Sequence, residues 1–426
     1  MNNKSIEINI GIDFGTSFTK ACYYILDKGE RSIVHWKPIW QKESNPLLPS
    51  NVYLDNNDNI SMFLLGTNKT KNIKYFKMAV AGQPIGDKIY PNKITKIPAY
   101  QLYSAFYLSR ALSYIEYDIK IKYRQLLHGK DLVLSGNLGI PVAYYDSEYN
   151  IVFKEILSAA RYMQNSITDI EPISKIDELY SASLQKTPDQ SFNTVPELYA
   201  EATGLFSDKQ TNNGIYTLFD IGGGTVDGAA IQYCRNDGRA HVNFITAQVE
   251  PLGVEVAATE LVSAHFAHTL IEARNRLLEP NGIYFNELSS LKHKLECQTA
   301  YIIVPIKKKA CLAFSAIKEL PILLYGGGHT SGWYRESIIS TYTDFKHKKC
   351  NIPQYKLHNT PLFGGNIKDI PSDQLHRYLI AIGLSIPAGY GPDIEGFPRQ
   401  NPDIQTKNSN NINDLDDIQR EKYGDY

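Results

Sequence analysis

Apolar residues follow two periods along this chain. Short runs of β-branched and aromatic residues read as strands. Two such runs occupy residues 6–25, on either side of Asp13-Phe14-Gly15-Thr16-Ser17. Tyr216 to Asp220 is a third, closed by an acid and followed by Gly222, Gly223 and Gly224. The spacing also predicts a hairpin within 44–65, a strand from 132, a hairpin over 229–249 turning at Asn236-Asp237-Gly238, and a buried strand from 319 that runs into Gly326, Gly327 and Gly328. Helical spacing governs the other segments. From Pro98 to about Leu127, apolar residues recur at 102, 103, 106, 107, 111, 112 and 115. Helices are also predicted over 149–163 behind the N-cap residues Asp146 and Ser147, within 195–206 as a short helix ending at Gly204, from 250 to about Arg276, after the 326–328 glycines, and over 375–387. The polar stretch 164–194 reads as a strand at 170–173 within a loop insertion. From about Pro392 the chain is Asn/Asp-rich and polar, a composition that cannot bury a core, so 392–426 is expected to be a disordered tail.

The candidate chemistry lies in the glycine turns. Three successive glycines let a backbone take unusual angles and present bare N–H groups to a ligand. At 220–227 (DIGGGTVD) the glycines are joined by Thr225 and flanked by Asp220 and Asp227. Carboxylates on both sides of a turn need a cation or a donor. Alone, this pattern is equally the chemistry of an ordinary hairpin turn. The stretch 13–20 (DFGTSFTK) repeats the order acid, any residue, glycine, hydroxyl about 200 positions earlier. The pair suggests an internal duplication that clamps one phosphate chain and a hydrated Mg²⁺.

These two stretches resemble the phosphate-1 and phosphate-2 loops of the actin/Hsp70/sugar-kinase ATPase superfamily, and the second resembles Hsp70 ATPase domains most closely. Other segments fall in the same order. FKMAVAG carries Lys77 where Hsp70-like proteins hold a lysine near the γ-phosphate, and IPVAYYD resembles a segment that opens a helix. Pro196-Glu197 follows the order found in plasmid-segregating actins, 23 residues before Asp220; Glu201 is a competitor one turn on. LGV with Gly253 resembles a segment near the ribose and phosphates. Residues 285–306 resemble a helix and strand whose lysine packs by the adenosine, here Lys292. Gly326–Gly328 resembles the adenosine motif.

The resemblance, over roughly residues 6–390, implies an α/β, two-lobed actin/Hsp70-type fold: duplicated ribonuclease-H-like domains with the nucleotide in the interlobe cleft. Lobe I would span 1–200 and be completed by 370–391; lobe II would span 201–369. It implies ATP and Mg²⁺ as cofactors. Gly15, Thr16, Ser17, Phe18, Gly222, Gly223, Gly224 and Thr225 would contact phosphates, with Asp13 and Asp220 holding Mg²⁺ mostly through water. Lys77 would stabilise charge on the γ-phosphoryl. Glu197, helped by Asp227, would position the attacking water. The implied activity is ATP hydrolysis. The first reading is an Hsp70-like, stand-alone ATPase domain, a nucleotide-driven switch acting with a separate partner protein. An actin-like, filament-forming ATPase is the alternative, and a nucleotide-sensing scaffold with little turnover is the third.

Composition narrows the partners. The 44 basic and 45 acidic side chains leave a net charge of −1, which gives no general pull toward nucleic acid or anionic membrane. The five scattered cysteines form no CxxC pair, so neither a disulfide framework nor a zinc site is expected. No signal-peptide pattern or membrane-length apolar run is read, and a cytoplasmic location is expected.

Overall fold

The computed structural model describes residues 5–38, 43–66, 70–82, 97–141, 147–207, 211–281, 285–306, 317–347, 352–358, 367 and 372–396. Tyr145, Asp146 and the expected tail beyond residue 396 lie outside them. The strands are β1 (Ser5–Phe14), β2 (Phe18–Ile25), β3 (Glu30–Ile33), β4 (Leu48–Pro49), β5 (Asn51–Leu54), β6 (Asn59–Ser61), β7 (Lys71–Lys74), β8 (Asp131–Ile140), β9 (Ile170–Pro172), β10 (Phe192–Pro196), β11 (Gly214–Ile221), β12 (Val226–Asn236), β13 (Arg239–Glu250), β14 (Glu319–Tyr325), β15 (Gln354–His358) and β16 (Asp393–Glu395). The α-helices are α1 (Phe76–Val80), α2 (Ala99–Lys122), α3 (Glu148–Met163), α4 (Ile173–Ser183), α5 (Glu197–Phe206), α6 (Val254–Ser263), α7 (Leu270–Leu277), α8 (Ser289–Ile303), α9 (Gly332–His347) and α10 (Leu379–Ser385).

Two mixed sheets organise the α/β fold, and they are built alike. The first runs β10-β8-β1-β2-β3, the second β15-β14-β11-β12-β13-β16. In each, three consecutive strands form an antiparallel meander. Two later strands then add in parallel beside the first strand of that meander. The glycine turns at 15–17 and 222–225 therefore occupy the same place, between the first two strands of each sheet. A third, four-stranded sheet, β7-β5-β6-β9, leads into α1.

Alternation along β1 explains the layering. Ile6, Ile8, Ile10, Ile12 and Phe14 enter one core with Leu102, Phe106 and Ile115 of α2. The opposite face carries Asn9, Gly11 and Asp13, and α10 lies on it so closely that a Cβ at Gly11 would come within 2.2 Å of the Ala381 carbonyl. Asn9 and Asn137 donate their amides to the Ser385 and Leu384 carbonyls at 2.9 and 2.8 Å, which satisfies the end of α10. α10 in turn crosses α5, where Ala200 packs with Ile380 and Leu384. The other side of α5 places Leu198, Ala202, Leu205 and Phe206 against Tyr216, Leu218 and Tyr233 of the second sheet. The far face of that sheet is covered by α6, α8 and α9.

Several expectations change. Residues 173–183 are helical, not a loop insertion: Ile176 and Tyr180 sit one turn apart and both are buried. The 285–306 segment stays helical to Ile303 rather than becoming a strand, because Leu291, Leu295, Gln298 and Ile302 share one buried face. Val195 and Pro196 end a strand, and α5 starts at Glu197 and continues through Gly204. The chain does not leave the fold at Pro392: Asp393–Glu395 adds to the edge of the second sheet beside His241–Asn243. No helix among the described residues is long and apolar enough to cross a membrane.

Candidate functional site

The two glycine hairpins face each other. A Cβ built on Gly223 would lie 2.8 Å from Ser17 Oγ and 3.4 Å from Thr16 Cβ. On the first hairpin, the Gly15 N–H donates to the Asp13 carbonyl at 3.0 Å, and Phe18, half exposed, begins the return strand. On the second, the Gly222 N–H donates to the Thr225 carbonyl at 2.9 Å. Among the described residues the N–H groups of Gly223 and Gly224 take no partner.

The third glycine cluster backs onto the second hairpin. Gly326 has φ of +78°, a left-handed angle that favours glycine, and a Cβ there would fall 2.0 Å from Asp220 Oδ1. The Gly328 N–H donates to the Ile221 carbonyl at 2.9 Å, while Gly327 faces open space. Gly253 opens α6, but its N–H is already used: it donates to the Gly224 carbonyl at 3.2 Å. Val254 and Glu255 likewise donate to Gly222 and Gly223, so the start of α6 supports the loop from behind. Lys292 is held by Glu296 on its own helix at 3.3 Å.

Between the hairpins lies a buried cluster of charge. Strand register places Lys20 directly across from Asp13, and the two form an ion pair. The equivalent register in the second sheet sets Asp220 across from Asp227, two like charges in one cross-strand pair. α1 brings Lys77, and the first residue of α5 brings Glu197; their ion pair measures 2.7 Å with both side chains buried. Glu201, one helical turn on, is also buried. Five carboxylates thus share the space with two ammonium groups.

The titration follows from that imbalance. Burial drives Asp220 up to about 7, with Asp13 and Glu197 adding to the rise while Lys20 and Lys77 oppose it. Burial likewise holds Asp227 well above the carboxylate range, with Glu197 and Asp220 adding to the rise. Burial, then Asp220 and Asp227, do the same to Glu201. Glu197 is raised by burial and by Asp13 against the pull of Lys77. Burial pulls Lys77 down, but Glu197, Asp13 and Asp227 outweigh it and keep the ammonium above its usual value.

Oδ1 of Asp220, Oδ1 of Asp227 and both carboxylate oxygens of Glu201 are buried without a hydrogen-bond partner. Orphaned hard oxygens of this kind suit a hard, hydrated cation such as Mg²⁺. Among the described residues no group of three or more His, Cys, Asp or Glu side chains is placed to hold a metal ion.

Lys20, Glu255, Tyr75 and Arg274 also belong to the site, beyond the residues that the glycine turns mark. Lys20 was findable, because a tight hairpin after Asp13 sets residue 20 opposite residue 13. The others meet only in three dimensions. Glu255 of α6 accepts from Ser17 at 3.0 Å, from Tyr75 at 2.8 Å and from Arg274 at 2.8 Å. The His329 ring, beside the third glycine cluster, lies against His376 with centroids 3.3 Å apart, and burial lowers its pKa to about 4.

The sequence matches no protein-family model and no curated protein.

Proposed function

We propose that this chain is an ATPase with the two-lobed architecture of the actin/Hsp70/sugar-kinase superfamily, and that it binds Mg-ATP between its two large sheets. One observation carries the reading: two sheets that share a five-strand order bring their acid–glycine–hydroxyl hairpins face to face over a buried cluster in which carboxyl groups outnumber ammonium groups.

The residues divide the work as follows. N–H groups of Gly223 and Gly224, with the hydroxyls of Thr16, Ser17 and Thr225, receive phosphate oxygens. Asp13 and Asp220 would hold Mg²⁺, and the ion would supply neutralising charge on the phosphates. Lys77, kept protonated by its acidic neighbours, faces the charge that develops on the γ-phosphoryl. Glu197 orients the attacking water and takes its proton as the bond to the β-phosphate breaks, giving ADP and phosphate. Its raised proton affinity moves it toward the value a general base needs near neutral pH. Gly326 and Gly328 shape the floor on which the adenosine rests.

Turnover of this kind drives closure and opening of the lobes, and we read the chain as a nucleotide-driven switch acting with a separate partner protein. The filament-forming alternative rests on the Pro196-Glu197 order. The test is nucleotide-dependent thermal stabilisation. Mg-ATP is expected to raise the melting temperature of the unaltered chain, and Asp13→Ala and Asp220→Ala to abolish the rise. Glu197→Ala is expected to keep the rise while losing roughly a hundredfold or more in phosphate release. Stabilisation that persists in both aspartate variants would refute the site.

A further inference from the structure

Glu255 ties the two glycine hairpins together, and none of the roles above uses it. It is the second residue of α6 and buried. Its Oε1 accepts from the Ser17 hydroxyl, and its Oε2 from the Tyr75 hydroxyl and an Arg274 guanidinium N–H. Ser17 comes from the first sheet's hairpin and Tyr75 from the approach to α1; Glu255 and Arg274 belong to helices of the second half. Tyr75 holds its position at φ of +62°, an angle uncommon for an aromatic residue. The contact lies on the phosphate loop itself: a Cβ on Gly223 would be 2.8 Å from Ser17 Oγ and 3.6 Å from Glu255 Cγ.

A serine hydroxyl has one proton to donate. Here it is donated in a hydrogen bond to Glu255. Ionised phosphate oxygens only accept, so a phosphate bound by the Ser17 hydroxyl must draw that hydrogen bond away from Glu255 and approach a carboxylate of like charge. We propose, building on the nucleotide reading above, that Glu255 is a positioning residue that competes with the nucleotide's phosphates for Ser17. It thereby sets the threshold at which the cleft accepts its ligand. When Ser17 turns to phosphate, Glu255 keeps Tyr75 and Arg274, so the halves stay joined at Tyr75 while the hairpin changes partner.

The experiment is a titration of a fluorescent ATP analogue with Mg²⁺ into the full chain, Glu255→Gln, Ser17→Ala and the double variant. Glu255→Gln is expected to tighten binding by roughly tenfold, the worth of a charge-assisted hydrogen bond. In the Ser17→Ala background the same change is expected to shift Kd by less than about twofold. Glu255→Asp keeps the charge but withdraws it by one methylene; it tightens binding less, and it keeps the test decisive should the glutamine variant fail to fold. Weaker binding in Glu255→Gln and Glu255→Asp, or an equal gain with and without Ser17, overturns the inference and leaves the nucleotide reading standing. An unaltered chain that binds no nucleotide overturns both.

Discussion

Asp220 and Asp227 face each other across one hairpin, where the first sheet sets Asp13 against Lys20. The first hairpin neutralises itself and the second does not, so the second must hold a proton or a cation. Folding raises the Asp220 pKa to about 7. An acid with a raised folded pKa binds its proton more tightly folded than unfolded. Its stabilising contribution is complete below the unfolded value of about 4 and is lost as pH rises through about 7. The melting temperature is therefore expected to fall between about pH 4 and about pH 7, and Asp220→Asn to flatten that slope. Mg²⁺ replaces the proton, so its stabilising effect should be larger at the alkaline end. A scan of melting temperature against pH, with and without Mg²⁺, checks both; a flat profile in the unaltered chain would sink the argument. The residue types of this site were legible in the sequence, since acids, glycines and hydroxyls recur in one order at 13–17 and 220–225. The Glu255 contacts were not, because Ser17, Tyr75, Glu255 and Arg274 carry no common spacing.

At the scale of elements, the crossing of α5 and α10 fixes how the two sheets relate. A Cβ at Gly383 would fall 1.7 Å from the Ala200 carbonyl, and one at Gly204 would fall 2.5 Å from the Leu379 carbonyl. Backbone cannot yield as a side-chain tip can. Gly383→Ala is expected to destabilise the fold by more than about 3 kcal/mol, whereas Gly327→Ala, which meets nothing within 4 Å, should change it by less than about 0.5 kcal/mol. Urea unfolding of the two variants gives the comparison, and equal losses would refute the close-packing account. Strands flanking the turns were readable from their apolar runs. The helix at 173–183 was missed because its buried positions are few, and the end of 285–306 was misread because Tyr301-Ile302-Ile303 has strand propensity overridden by packing of the helix face. Short apolar runs are ambiguous between the two states until a partner surface decides.

For the whole molecule, the layering of sheet, α10, α5 and sheet sets the helix crossing beneath the hairpins and the Glu255 cluster beside Ser17. The proposed switch, if it pivots on the first and is gated by the second, should tighten when Mg-ATP binds. Small-angle scattering is expected to give a smaller radius of gyration with Mg-ATP than with Mg-ADP, and high-speed sedimentation with ATP should leave the chain in the supernatant. ATP-dependent pelleting would instead favour the polymerising reading.

The sequence by itself determined the hairpins, the acids that flank them and the apolar faces that call for cover, because each depends on neighbours a few residues away. Tertiary structure decided which charges meet. Lys77 reaches Glu197 across 120 positions, and Ser17 reaches Glu255 across 238. At such separations local spacing carries no information on distance; the shared topology of the two sheets and the glycine-tight crossing of α5 and α10 set it.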